Sequence, residues 1–293
     1  MATLRELKGR IGSVASSEKI TGAMKMISSA KMHKAEQALK RLLPYRTLIE
    51  GIIGNLLDSD AQYSSPLTAE REVERRAVVV WGSDDGLCGA YNVNLYKQLA
   101  ATITRLRAAD PKVELSVIAI GSKMAKACRP LEKIGIKAIV PEGVNSKSDG
   151  AGVKTFLETL TGYFTGGVYD AVDILYMSFK SVSRQRPVEM QFLPVAPSAF
   201  AAGGAASSNR PCLFEPSAQD IFTTIVPMYL LAVLQDVFTE NRASEMAARV
   251  MAMQSANDNA KKLYDELHLE YNKLRQQAIT TELLDIVGGQ VRD

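Results

Sequence analysis

The stretch of this chain best equipped for chemistry is Gly82-Ser83-Asp84-Asp85-Gly86-Leu87-Cys88-Gly89. It follows an apolar run and precedes a helical pattern. A glycine-rich turn in that place can cradle phosphate on its backbone N–H groups. The spacing is neither G-x-G-x-x-G nor G-x-x-x-x-G-K-[ST]. Two aspartates also repel phosphate unless a metal lies between them. The residue types therefore fit a tight strand-to-helix turn with capping aspartates better than they fit a nucleotide site. Cys88, Cys128 and Cys212 form no C-x-x-C pair, and His33 and His268 are not spaced as H-x-x-x-H. Neither a structural zinc nor a disulfide framework is expected. Lys123, Lys126 and Arg129 form a short cluster with no interleaved aromatics, so no nucleic-acid partner is expected.

These residues assign no catalytic, cofactor or metal site. If the protein serves an enzyme, the active site is expected on another chain, and the elements that position these residues become the more informative feature. From Asp220 to Val287 there is no glycine, and the only proline is Pro227. Such a run reads as one helix, against a globular average of roughly 11–12 residues. About 65 residues at about 1.5 Å each reach on the order of 100 Å, wider than a domain of this size. Part of that helix must leave the body and find its packing elsewhere.

Its first half is apolar nearly all round, from Ile221 to Phe238, and is expected to be covered by a domain. From Ala243 the pattern thins to one seam: Ala243, Met246, Val250, Met253, Asn257, Ala260, Tyr264, Leu267, Tyr271, Leu274 and Ala278. Steps alternating three and four are the coiled-coil repeat. The partner on offer is residues 3–57, a second long helical pattern carrying Leu4, Leu7, Ile11 and Val14, continued with a shift of phase by Ile20, Met24 and Ile27. Pro44 is expected to bend this helix without ending it. Residues 1–50 hold ten Lys/Arg against four Glu, and residues 220–293 hold seven against eleven Asp/Glu. Opposite charge favours their pairing, although each exposed pair contributes only about 0–1 kcal/mol.

Between the helices the pattern alternates. Strands are expected at Ala77–Trp81, Val113–Ile120, Lys137–Val140, Ala171–Phe179 and Val188–Val195. Helices are expected at Asn92–Ala108, Ser122–Ile134 and Gly152–Thr165, with a hairpin turn across Arg184-Gln185-Arg186-Pro187. Ser59–Glu70 and Ala201–Pro211 read as loops. The fold class is α/β: a long antiparallel coiled coil of the N- and C-terminal helices plus a central α/β domain whose sheet is parallel at least in its first part. The expected divisions are residues 1–58, 75–200 and 217–288. No apolar run reaches the roughly 20 residues of a membrane span, and Met1 to Glu6 lacks the features of a secretory or transit signal. A soluble, cytoplasmic chain that meets a membrane only through partners is the expectation. A mechanical subunit leads. An enzyme built on the α/β domain and a static coiled-coil tether remain alternatives.

Three motifs then suggest a family. Lys19-Ile20-Thr21-Gly22-Ala23-Met24-Lys25-Met26 with Ala30-Lys31-Met32, Gly86-Leu87-Cys88-Gly89-Ala90-Tyr91-Asn92, and Asn272 through Gly288 resemble the gamma subunits of F-type ATP synthases, over the whole length. Gly289 stands where that family usually has alanine, and the cysteine-bearing insertion of chloroplast members is not seen in Ala201–Pro211. The resemblance implies a Rossmann-like central domain and a coiled-coil shaft inside a ring of three alpha and three beta subunits. It implies no cofactor on this chain, contacts with the epsilon subunit and the membrane c ring, and a peripheral position on the cytoplasmic face of the bacterial inner membrane. By motif match, Met24, Lys25 and Arg249 face acidic lever loops of the beta subunits. Arg275, Gln276, Thr280 and Glu282 make polar contacts with the ring's inner wall, and Leu283, Ile286 and Val287 sit in its apolar bearing. Glu215, within Cys212-Leu213-Phe214-Glu215, meets the c ring. Cys212 stands there in place of a usual tyrosine.

Overall fold

A computed structural model describes residues 3–57, 64–196 and 214–290. Two long helices frame it. Helix α1 runs Leu4–Leu57 through Pro44, and the last helix, α5, runs Ala218–Gln290 through Pro227. At about 1.5 Å per residue they extend roughly 80 and 110 Å. The last helix continues through Gly288-Gly289, where the sequence suggests a stop.

Between them lie β1 (Arg75–Trp81), α2 (Tyr91–Ala109), β2 (Glu114–Ile120) and α3 (Ser122–Cys128), the last continued by a 3-10 turn over Arg129–Ile134. Then come β3 (Lys137–Ile139), α4 (Gly150–Thr165), β4 (Ala171–Ser181) and β5 (Arg184–Leu193). The sheet order is β3-β2-β1-β4-β5, with only the β4–β5 pair antiparallel. Crossover helices on both faces allow β1, β2 and the first half of β4 to be near-continuous apolar runs. The hairpin turn is Val182-Ser183, and Arg184–Pro187 belongs to β5. That shift has a simple cause. β5 is an edge strand with a half-exposed face, where polar residues and Pro187 fit.

One face of the sheet packs on α1, α4 and the start of α5. Ile49, Ile53 and Leu56 of α1 join Phe156 and Leu160 of α4 and Val226, Leu230 and Val233 of α5 around Trp81. The other face packs on α2 and α3 through Leu95, Leu99, Met124 and Cys128. Each fully buried aliphatic side chain here contributes about 1.5–3 kcal/mol. One stretch of α5 has a mean hydropathy of 1.7 over 18 residues, enough in length and composition for a membrane span. By length and composition it departs from the expectation that no apolar stretch is long enough for a span. That stretch is 56% buried against the fold, so much of its apolar surface is already covered.

Farther along, α1 and α5 pack on each other. Arg46 Nη1 reaches Asp236 Oδ2 at 3.2 Å, Met32 packs with Met246 and Ala247, and Asn257 Nδ2 donates to the Glu18 carbonyl at 2.7 Å. Rising numbers on one helix meet falling numbers on the other, so the pair is antiparallel. Every seam position named on α5 from Ala243 to Ala278 is buried or half-buried. On α1 the three-four steps run unbroken through Leu4, Leu7, Ile11, Val14, Glu18, Thr21, Lys25, Ser28, Met32 and Ala35, all buried or half-buried. The expected phase shift does not occur. Ile20 and Ile27 are 59% and 56% exposed, because the seam keeps its period and fills its middle with polar and small residues.

Candidate partner interface

The glycine-rich loop after β1 is held from within. The Ser83 N–H donates to Asn92 Oδ1 at 3.1 Å, and the Asp84 N–H donates to Ser146 Oγ at 3.2 Å. These N–H groups are therefore not left for a phosphate. The Asp84 carboxylate accepts from the Ser122 N–H at 2.8 Å and the Ser146 N–H at 2.9 Å. It thus caps α3 across space, whereas α2, which follows in sequence, has no side-chain cap. Burial pushes the Asp84 carboxyl up, but the hydrogen bonds from Ser122 and Ser146 and the charge of Lys147 outweigh it and hold the group below its usual range. Gly121 has φ +93, and a Cβ there would lie 2.8 Å from the Ser83 backbone, so only glycine lets β2 end this close to the loop. At the loop's tip Leu87 has φ +61 and its side chain is exposed. A left-handed conformation costs a non-glycine residue on the order of 1–2 kcal/mol.

Arg249 reaches this loop from α5. It is only 5% exposed. Its Nε and Nη2 donate to the Gly86 carbonyl at 3.3 and 3.2 Å, and Nη2 also donates to the Asp85 carbonyl at 3.3 Å and to Glu245 Oε1 at 2.7 Å. Burial pushes the Glu245 carboxyl up, and the Arg249 charge opposes that push. Lys147 pairs with Asp85 at 2.8 Å on the outside. Met24, Ile27 and Lys31 of α1 line a cleft of about 390 Å³ with Asp85, Gly86 and Arg249. The structure therefore brings Met24 and Arg249 to one place and leaves Lys25 half-buried on the seam. Arg249 spends its guanidinium within the chain, so a partner meets it only through the loop that it holds. Sequence reasoning missed Glu245. Its place four residues before Arg249 on one helix was the available signal.

The remaining positions lie far from that cleft. Arg275, Gln276, Thr280 and Glu282 are exposed on α5. Leu283 and Ile286 are 57% and 62% exposed, beside exposed Ile279 and Leu284. The backbone of Val287 lies within α5. This end of α5 runs past the point where the register with α1 is used up, because the pairing of Glu18 with Asn257 carries Leu4 to about the level of Tyr271. Glu215 is exposed in the turn before α5, and Cys212 lies outside the described residues. Cys88 and Cys128 are free and buried; burial pushes both thiols up, that of Cys128 to about 12. Among the described residues no group of three His, Cys, Asp or Glu is placed to hold a metal.

A two-helix shaft seated on an α/β foot, with apolar side chains left exposed along its sides and near the end of α5, fits a subunit that works by contact with other chains. A family model described as ATP synthase matches residues 3–291. An ATP synthase gamma chain of Parabacteroides distasonis is 37% identical over 99% of this chain and 98% of its own length. One of Desulfitobacterium hafniense is 34% identical over the same shares. The chain belongs to the ATP synthase gamma-chain family, and its function is that of the central rotor shaft coupling ion-driven rotation to ATP synthesis. The fold also matches a chain in the Euglena gracilis mitochondrial ATP synthase, with TM-score 0.62, 18% identity, and 98% and 93% of the two chains covered. A chain of the Tetrahymena thermophila mitochondrial central stalk matches with TM-score 0.56 at 20% identity, over 81% of this chain and 99% of that one.

Proposed function

We propose that this chain, itself without a catalytic site, turns as one copy within a ring of three alpha and three beta subunits whose beta subunits hold the catalytic sites. The observation that carries this reading is the bare tip of α5. A helix end that exposes Ile279, Leu283, Leu284 and Ile286, with no helix facing it among the described residues, wants an apolar collar. Arg275 and Gln276 just below it, and Thr280 and Glu282 interleaved with it, offer polar surface, which slides past a wall more readily than a sticky apolar one. Ile286 and Val287 belong to the bearing; Met24, Lys25 and the loop held by Arg249 meet the acidic levers of the beta subunits. Glu215 and the foot meet the c ring and the epsilon subunit. The chain then lies peripherally on the cytoplasmic face of the bacterial inner membrane, held there by its partners. The three divisions, 1–58, 75–200 and 217–288, serve as rising shaft, foot and returning shaft.

Native mass spectrometry of the chain co-expressed with alpha and beta subunits from the same source tests this. One copy per three alpha and three beta is expected. Folded, competent partners that assemble without the chain overturn the reading.

A further inference from the structure

A shaft is useful only if its foot cannot slip on it, and most of the contact between the two is apolar. Apolar burial is non-directional and tolerates sliding, whereas hydrogen bonds fix direction. One directional attachment stands out on β4. Strand β1 pairs with β4 only from Arg76↔Ala171 to Val80↔Leu175, while β5 follows the other edge of β4 as far as Ser181↔Arg184. Beyond Leu175 one edge of β4 is therefore vacated. Met177 and Phe179 are two residues apart, so their N–H groups point to the same edge. The residue opposite Met177 on β5 is Pro187, which exchanges no N–H with it.

Two successive residues of α5 fill that edge. Asn241 Oδ1 accepts from the Met177 N–H at 2.9 Å. Glu240 Oε1 accepts from the Phe179 N–H at 3.0 Å and from Ser178 Oγ at 2.6 Å. The Asn241 carbonyl also accepts from Tyr91 Oη at 3.4 Å. Asn241 and Ser178 are buried. The helix thus offers side-chain oxygens where a strand would offer carbonyls, and the shaft is bonded to two main-chain N–H groups of the sheet as well as to the Ser178 hydroxyl.

We propose that Glu240 and Asn241 are the positioning pair that fixes the rotational angle between shaft and foot and carries torque across their joint. The Arg249 contact with the Asp85 and Gly86 carbonyls is a second attachment, about 12–14 Å farther along the helix at about 1.5 Å per residue. Two directional attachments on one helix resist both twist and tilt; either alone leaves one free. This inference rests on the central-shaft function.

The test uses the assembled alpha–beta–chain complex with a bead on the foot, together with the complete membrane-embedded synthase. The variants are Glu240→Ala with Asn241→Ala, Glu240→Ala alone, and Glu240→Gln, which keeps an acceptor oxygen. The double variant is expected to assemble and to hydrolyse ATP without load at the wild-type rate. The angular spread of the bead at each dwell is expected to widen about twofold with three hydrogen bonds across the joint removed. Ion pumping per ATP is expected to fall by about the same factor, with Glu240→Gln restoring both. A merely structural role lowers the melting temperature or the yield without moving the angular spread of assembled molecules. If the double variant fails to assemble, Glu240→Ala against Glu240→Gln reads the same two quantities. An assembled variant with wild-type angular spread and wild-type pumping per ATP overturns the proposal. A wild-type complex that neither rotates nor pumps overturns the shaft function instead, so the two failures are distinct.

Discussion

Arg249 is buried in an ion pair and Glu282 is exposed on the shaft, so substitutions at the two are expected to separate folding from coupling. Arg249 and Glu245 form a buried ion pair, 6% and 2% exposed at their side chains. Breaking such a pair from one side costs about 3–5 kcal/mol, because a buried charge is left without its partner. Arg249→Ala or a charge reversal there is expected to lower stability by that order in urea melts followed on Trp81, the chain's single tryptophan. Glu282 is exposed on the shaft, and a change to lysine is expected to stay within about 0.5 kcal/mol in the same melt. Its effect should appear in coupled ATP synthesis by the assembled enzyme. Equal melting losses for both would refute this separation. Asp84 adds a pH dependence. Its carboxyl is held below the usual range in the folded chain, so its stabilisation is fully present above the ordinary carboxylate value and is lost as pH falls through the lowered one. Asp84→Ala is expected to cost about 1 kcal/mol at neutral pH and less near pH 3, read from thermal midpoints at the two pH values.

At the scale of elements, the seam of the shaft is uneven. Met32, Ala35, Ile49, Ile53 and Leu56 make its lower half apolar, while Glu18, Thr21, Lys25 and Ser28 interrupt it above. Amide hydrogen exchange is expected to be faster over residues 14–28 of the free chain than over residues 32–56, since local opening follows local apolar contact. Uniform protection along α1 would speak against this. Asn257, bonded to the Glu18 carbonyl and to Thr21 Oγ1, sits where a lone polar group selects register at some cost in stability. Asn257→Leu is expected to leave the melt unchanged or raise it, and to broaden the set of disulfide pairs formed between cysteines placed along the two helices.

The same interruption explains what was legible in the sequence. The α5 seam could be read because Ala243 to Ala278 carries an apolar signal interrupted only by Asn257. On α1 the seam residues from Glu18 to Ser28 are polar, so Ile20 and Ile27 drew the pattern off phase. The strand-to-helix turn and its capping aspartate were readable from Asp84 and the glycines. That the cap serves α3 was not, because Ser122 comes near only through the parallel pairing of β1 with β2. Arg249 was named by motif match as facing outward to a partner; its inward direction was not legible, since nothing in its own helix shows that the Gly86 carbonyl lies opposite.

For the whole molecule, an apolar joint carrying a few directional bonds, a shaft seam more apolar below than above, and exposed apolar residues near the end of α5 together suit a body that turns against partners. The most direct measurement is single-molecule rotation of the chain in an alpha–beta ring fixed to a surface, with a bead on the exposed foot. ATP-driven rotation in one direction, pausing at thirds of a turn, is expected. A bead that stays at one angle while the ring hydrolyses ATP at its full rate would contradict the central shaft.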